Sequence, residues 1–170
     1  CITDSHSAVS IAFVDIHNFS DRIKTLAPRQ VVRIVSYYFH VYNAVAQKFK
    51  VFRLKSFGDA SVFVSGVNKE PGEEQGRDTA AQDAFVVGSF CGYIIQLFSP
   101  GFSHYPQRLD NFAEAFKHEP DAPMTGIVKV RCGLHSGPAT SGMIDVGKTP
   151  SFEVYGPALS LCQRMQATAI

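Results

Sequence analysis

Residues 51–66, VFRLKSFGDASVFVSG, decide how the chain is organised. Two runs rich in β-branched and aromatic residues flank Gly58 and Asp59, which predicts a tight β-hairpin with Gly58 supplying the positive φ of a type II′ turn. Asp59 then lies at the hairpin tip. Lys55 lies in the first strand, and period-two alternation predicts Arg53 on the same face. The hairpin thus offers an acid and a lysine to one region, as sites for phosphate, metal or nucleobase do; the alternative is a solvated turn with an exposed lysine.

Composition indicates one globular domain. The chain has 170 residues, of which 45% are hydrophobic, enough for a sizeable core. Its net charge of +1 argues against an extended surface for nucleic acid or an acidic membrane. The four cysteines are widely spaced, so we predict small core residues in a reducing compartment rather than a zinc site or disulfides: Cys1, Cys91, Cys132 and Cys162. Because the chain starts with cysteine instead of methionine, we expect a piece of a longer polypeptide.

Two further segments precede the hairpin. Residues 8–15, AVSIAFVD, form an almost continuous apolar run, which predicts a central strand covered on both faces. Asp15 ends this run; its structural alternative is a helix N-cap or turn residue. Residues 31–49 carry apolar side chains at helical spacing after Pro28, which suits the first helical position. We therefore expect an amphipathic helix packed on a sheet.

The segments after the hairpin predict a helix, an excursion and strands. Residues 84–98 are strongly apolar but shorter than the roughly 20 residues of a membrane span, which predicts a buried helix. Residues 99–126 contain four prolines and suggest an inserted surface excursion. Residues 127–134 alternate, which predicts a strand with Arg131 opposite its apolar residues. A second strand-like run follows at 138–144.

Residues 142–149, GMIDVGKT, satisfy the P-loop pattern GxxxxGK followed by Ser or Thr. That motif holds phosphate only when its lysine and threonine open a helix. Here Pro150 follows at once, and residues 152–155 read as a strand before a helical pattern that begins after Gly156. We interpret the match as coincidental.

Four segments resemble, in order, the motifs of the class III nucleotide cyclases. Residues 13–20, FVDIHNFS, are similar to the metal-binding strand and phosphate loop of that family, and residues 55–60, KSFGDA, to its second metal-binding hairpin. Residues 131–138, RCGLHSGP, are similar to its next strand. Residues 153–156, EVYG, with Arg164, are similar to its base-reading and transition-state segment.

The resemblance implies an α+β fold with a ferredoxin-like antiparallel sheet and helices packed on one face, its C-terminal strands missing from this chain. It implies two Mg²⁺ or Mn²⁺ ions held by Asp15, Asp59 and the backbone carbonyl of Ile16, since hard cations take oxygen ligands. Backbone amides of the phosphate loop would hold the β- and γ-phosphates: Asn18, Phe19 and Ser20. Arg131 would add positive charge there, or else be a surface strand residue.

The resemblance implies that Lys55 and Glu153 bind the purine. Lys55 would donate a hydrogen bond to adenine N1, and Glu153 would accept one from the 6-amino group. Such a pair also satisfies guanine O6 and N1–H, so the residues alone leave the base open, and the family pattern favours ATP. The alternative is a surface ion pair of about 0–1 kcal/mol. Arg164 would stabilise charge on the α-phosphate, and Ser160 stands where the family usually has the asparagine that holds the ribose. The family usually has glycine at the position of Asn18. At the position of Glu153 it more often has Asp, Thr or Cys.

The implied activity is adenylate cyclase, converting ATP to 3′,5′-cyclic AMP and pyrophosphate in intracellular signalling. The site would span a head-to-tail dimer, homo- or heterodimeric. One chain would supply Asp15, Asp59 and Arg131, and the other Lys55, Glu153, Ser160 and Arg164. Alternatives are a guanylate cyclase, or a weakly active regulatory half that dimerises with a better-equipped partner. We expect a cytoplasmic domain of a longer protein, with no nucleic-acid partner and no membrane contact from this segment.

Overall fold

A computed structural model describes residues 3–67, 77–99, 129–146 and 149–169. The elements, in chain order, are β1 (Thr3–Ile16), α1 (Phe19–Arg22), a 3₁₀ turn (Ile23–Thr25), α2 (Pro28–Phe49), β2 (Phe52–Phe57), β3 (Ala60–Ser65), α3 (Arg77–Leu97), β4 (Val130–Val146), β5 (Thr149–Tyr155) and α4 (Pro157–Thr168). Residues 100–126 of the predicted excursion lie outside the described residues.

The five strands form one antiparallel sheet in the order β2-β3-β1-β4-β5. Strand β1 lies at its centre, as its apolar run predicts, and every residue from Val9 to Val14 is buried. This arrangement confirms the predicted α+β class with an antiparallel sheet and packed helices.

Helices cover both faces of the sheet, so the prediction of helices on one face was wrong. Ala12, Val14 and Ile16 share a buried cluster with residues of α2 and α3. The alternate residues of the same strand, which include Val9 and Ile11, share a second cluster with residues of α4. Because successive side chains of a strand point to opposite faces, an apolar run needs cover on both sides.

The two long helices lie where the sequence predicts them. Helix α2 begins with Pro28, and the Gln30 side chain accepts a hydrogen bond from the Ala27 amide at 2.9 Å. Helix α3 is the predicted buried helix; Val87, Phe90 and Ile94 are fully buried. In the part of the chain that the structure describes, no helix is both long and apolar enough to cross a membrane.

Strand β4 is one long strand, although the sequence predicts two shorter runs. It pairs with almost the whole of β1, with a register shift between His6 and Val9. The described residues of the P-loop match, 142–146 and Thr149, fall on β4 and the start of β5, where Asp145 pairs with Pro150. Thr149 opens a strand instead of a helix, which confirms that the P-loop match is coincidental.

The β2–β3 hairpin has the predicted two-residue turn. Phe57 pairs with Ala60, and Gly58 between them has a φ of 56°. Among the described non-glycine residues, only Asn18 and Lys50 have positive φ. Asp59 therefore keeps a negative φ, as a type II′ turn requires and a type I′ turn forbids.

A β-bulge in β2 overturns the prediction that Arg53 and Lys55 share a face. Arg53 pairs with Phe63 and Lys55 with Val62, so Leu54 is an extra residue between them. A bulge of this kind shifts the alternation of side chains by one position. Arg53 consequently contacts helix α2, where its guanidinium lies 4.7 Å from the centre of the Phe39 ring.

The described cysteines confirm the predicted core role, and Cys1 lies outside the described residues. Cys91 and Cys162 are buried and Cys132 is half-buried, all as free thiols. Burial raises the pKa of the Cys162 thiol to about 12. The Cys162 thiol is therefore a protonated packing group.

Candidate active site

Two acids meet where β1 ends and the β2–β3 hairpin turns. Asp15 is the next-to-last residue of β1, and its carboxyl group is hydrogen-bonded to that of Asp59 at the hairpin tip. Burial, followed by the hydrogen bond to Asp15 and repulsion from it, raises the pKa of Asp59 to about 7. The structure thus brings together the two acids that the sequence singles out, and Asp15 is a strand residue rather than a helix cap.

Asp15 is held by two donors from other elements. Arg131 Nη2 on β4 and Gln166 Nε2 on α4 each lie 2.6 Å from Asp15 Oδ2. Arg131 and Asp15 are directly paired across the strands, on the α4 face of the sheet. Arg131 therefore joins this site rather than being an isolated surface residue.

Gln166 contacts Asp15 and is a residue of this site that the sequence analysis did not single out. Its only signal is position, because Ala158, Cys162 and Gln166 follow one another at a spacing of four residues on α4. The first two are apolar core residues, and Gln166 is also buried, with 5% of its surface exposed. A buried amide on an apolar stripe needs hydrogen-bond partners, and that requirement points to a polar contact in the core.

The predicted phosphate loop directly follows Asp15 in the chain. Ile16 is buried at the end of β1, and Asn18 adopts the left-handed conformation with φ 55° and ψ 33°. Asparagine tolerates this conformation, so the turn forms without the glycine usual in the family. Phe19 packs against the α2–α3 side of the core, and Ser20 is exposed in α1. The loop therefore starts beside the two acids.

Lys55 and Glu153 form an ion pair at 2.5 Å between Nζ and Oε2. Their side chains are 27% and 18% exposed, so the pair is half-buried and still open to solvent on one side. The hydrogen bond from Lys55 lowers the pKa of Glu153, and Ser151 also donates to this carboxylate at 3.1 Å. The structure thus brings together the two predicted base-reading residues within one chain.

Ser160 and Arg164 are exposed on α4. Arg164 precedes Gln166 by two residues, which is about 200° around a helix. Since Gln166 faces Asp15 of its own chain, Arg164 points away from it. The structure does not bring Arg164 to the acids of the same chain.

The acid pair fits a divalent cation by the chemistry of its donors. Two carboxyl groups in contact repel each other unless a proton or a cation lies between them. Among the described residues, no group of three or more His, Cys, Asp or Glu side chains gathers around one point. Mg²⁺ is commonly held by one or two carboxylates together with substrate phosphates and water, which matches this small set.

Comparisons with known proteins point to one family. Residues 2–170 match the family model of the adenylate and guanylate cyclase catalytic domain. Guanylate cyclase 2D of Rattus norvegicus is 26% identical over 162 residues, covering 95% of this chain and 12% of that protein. Guanylyl cyclase C of Homo sapiens is 24% identical over 165 residues, covering 97% of this chain and 13% of that protein.

Solved structures share the fold. The adenylyl cyclase CyaB from P. aeruginosa has a TM-score of 0.74 at 16% identity, with 100% of this chain and 76% of that one covered. The catalytic core of a rhodopsin-guanylyl cyclase with converted specificity, in complex with ATPαS, has a TM-score of 0.71 at 22% identity, with 99% and 76% covered. The chain spans about an eighth of the curated relatives named above, at 12% and 13% of their lengths. It belongs to the family of class III adenylate and guanylate cyclase catalytic domains.

Proposed function

We propose that the chain converts ATP to 3′,5′-cyclic AMP and pyrophosphate in a dimer, as the cytoplasmic catalytic domain of a longer signalling protein. The observation that carries the reaction type is the contact between Asp15 and Asp59. Cyclisation joins the ribose 3′-oxygen to the α-phosphate, and it needs positive charge beside a crowded triphosphate. Two adjacent carboxyl groups at strand ends are suited to collect that charge as Mg²⁺ or Mn²⁺.

Asp15, Asp59 and the Ile16 carbonyl would hold two divalent ions. When bound, such ions offset the charge of the triphosphate and favour the ionised 3′-hydroxyl. The backbone amides of Asn18, Phe19 and Ser20 would hold the β- and γ-phosphates, as successive amides of a turn do elsewhere.

Arg131 contributes in two ways. Its Nη2 orients Asp15, and its Nε is one of the buried side-chain polar atoms that lack a hydrogen-bond partner in the part of the chain described. A buried donor without an acceptor is costly, so a phosphate oxygen or a water that accepts from it would be stabilised.

The Lys55–Glu153 pair supports ATP as the substrate. Lysine donates to adenine N1, which has no hydrogen, and Glu153 accepts from the 6-amino group. With guanine, Lys55 would still donate and Glu153 would still accept, but Lys55 would have to contact O6 and Glu153 the N1–H, so the two side chains would have to exchange positions along the ring edge. The complex of a specificity-converted guanylyl cyclase core with ATPαS supports the view that this fold accommodates an adenine nucleotide.

We further propose that each site takes residues from two chains. Ser160 and Arg164 are exposed and lie on the side of α4 away from their own acids, which supports a role in the site of a partner. A solved structure described as a non-canonical dimeric guanylyl cyclase domain has the same fold as this chain, with a TM-score of 0.73. A second copy or a related cyclase domain is the partner that this arrangement needs.

Two alternatives have support of their own. The two curated relatives named above are guanylate cyclases, which favours GTP as the substrate. Serine at position 160 is shorter than the usual asparagine and offers fewer hydrogen bonds to a ribose, which favours a weakly active regulatory half.

One assay tests the proposal. The chain is incubated with Mn²⁺ and either ATP or GTP, and cyclic product and pyrophosphate are both measured. Cyclic AMP as the main product supports the proposal, whereas mainly cyclic GMP supports the guanylate alternative. Nucleotide binding without either product, in a confirmed dimer, supports the regulatory alternative.

A further inference from the structure

We propose that Gln166 is a positioning residue that holds the Asp15 carboxylate in the orientation that binds the divalent cation. The inference rests on the proposed function and deepens it, because it adds a residue to the cation site. Three elements meet at this carboxylate: the end of β1, Arg131 on β4 and Gln166 on α4.

The hydrogen bonds restrict how Asp15 can bind a cation. Gln166 Nε2 and Arg131 Nη2 both donate to Oδ2, at 2.6 Å each. Two donors use the two lone pairs of a carboxylate oxygen, so a cation would compete with them at Oδ2. The other oxygen, Oδ1, is therefore the one directed to a cation.

An amide suits this position because of its charge. Arg131 already supplies one positive charge to Asp15, and a second cationic donor would weaken the attraction of the site for a cation. A carboxylate at position 166 would repel both Asp15 and Asp59 unless it were protonated. Gln166 adds a hydrogen-bond donor without changing the net charge of the site.

The backbone around Gln166 fixes its reach. A Cβ atom added to Gly133 of β4 would lie 2.4 Å from the backbone nitrogen of Gln166 and 2.3 Å from the backbone carbonyl oxygen of Cys162. Helix α4 therefore packs directly against the backbone of β4 at this point. With its backbone so close to the sheet and its side chain buried, Gln166 has few other rotamers, and Asp15 is held rigidly.

The test measures Mn²⁺ binding by electron paramagnetic resonance, in the presence of 3′-deoxy-ATP, which cannot be cyclised. Gln166→Met keeps the size of the side chain and removes the donor. We expect its Kd for Mn²⁺ to rise about 10- to 100-fold, as is usual when a group that orients a ligand is lost. The control is Gln82→Met, the same change at an exposed position of α3, which should bind Mn²⁺ like the wild type.

Gln166→His distinguishes positioning from packing. At about pH 8 the imidazole is neutral and carries an N–H at a similar reach. We expect it to restore much of the affinity that Gln166→Met loses. Equal losses in both variants, or wild-type affinity in Gln166→Met, would overturn the inference. Thermal unfolding checks that each variant folds; if Gln166→Met does not, Gln166→Asn, which is one methylene too short, replaces it.

Asp15→Asn separates this inference from the function on which it rests. If Asp15→Asn loses Mn²⁺ while Gln166→Met keeps it, the cation site stands and the role of Gln166 is wrong. If Asp15→Asn also binds Mn²⁺ like the wild type, the proposed cation site itself is wrong.

Discussion

Lys55 on β2 and Glu153 on β5 form an ion pair at 2.5 Å, although their strands lie at opposite edges of the sheet. Phe52 and Phe152 meet beside them, with ring centres 6.0 Å apart. The sheet must curl for its edges to meet. The register shift in the β1–β4 pairing, between His6 and Val9, is a place where such bending is introduced.

The first prediction concerns the choice of base. Exchanging Lys55→Glu together with Glu153→Cys reverses the hydrogen-bond polarity offered to the purine. We expect the ratio of kcat/KM for ATP to that for GTP to fall, by up to about 10⁴-fold, because unpaired polar groups are costly in a desolvated site. Steady-state kinetics with both nucleotides measure this ratio. An unchanged ratio in a folded double variant would mean that the pair does not contact the base.

The second prediction concerns the acid pair. Asp15→Asn and Asp59→Asn each remove one charged ligand and keep the shape of the side chain. Since metal stabilisation of the transition state amounts to several kcal/mol, we expect kcat to fall by about 100-fold or more. Circular dichroism should show an unchanged fold. Asp78→Asn on α3 is the matched control and should keep full activity; full activity in either site variant would contradict the two-metal reading.

The third prediction concerns the packing of α4 on β4. Gly133→Ala should destabilise the protein by about 1–3 kcal/mol, because its Cβ would meet the Cys162 carbonyl oxygen at 2.3 Å. For a chain of this size the loss corresponds to a fall in Tm of roughly 2–12 °C. Gly92→Ala is the control: a Cβ there meets nothing within 4 Å, and alanine favours a helix. Calorimetry should show opposite shifts, and a Gly133→Ala variant as stable as wild type would mean that α4 sits farther from the sheet.

The fourth prediction concerns the shared site. If Asp59 acts in one chain and Arg164 acts from the other, homodimers of Asp59→Asn or of Arg164→Ala should both be inactive. Random mixing makes half of the dimers mixed, and each of these has one intact site of two. Activity should therefore recover to about a quarter of the wild-type value. Mixed dimers that show no recovery would place the whole site within one chain.

Local patterns predicted the elements well. The apolar run ending at Asp15, the helix that begins at Pro28 and the turn at Gly58 each depend on residues close in sequence, and each was found.

Other features depend on distant contacts, and these were missed. Gln166 was missed because its hydrogen-bond partner, Asp15, is 151 positions away in the sequence. The helical spacing of α4 shows only that a polar residue lies on the buried side. Residues 130–134 and 138–144 of the two predicted runs belong to a single strand, β4, because β4 pairs with almost the whole of β1. Alternation along β2 assumed a regular strand, and a bulge leaves no clear mark in a sequence of this kind.

The bulge at Leu54 has a consequence for how nucleotide choice can diverge among related chains. On one side of it Arg53 ties the strand to α2, where it also donates to Asn43 at 3.3 Å. On the other side Lys55 faces Glu153. Because the extra residue turns these two side chains to opposite faces, a substitution at position 55 leaves the attachment to α2 intact. If Lys55 contacts the base as proposed, selection can therefore change that end of the strand without a matching loss of stability at its other end.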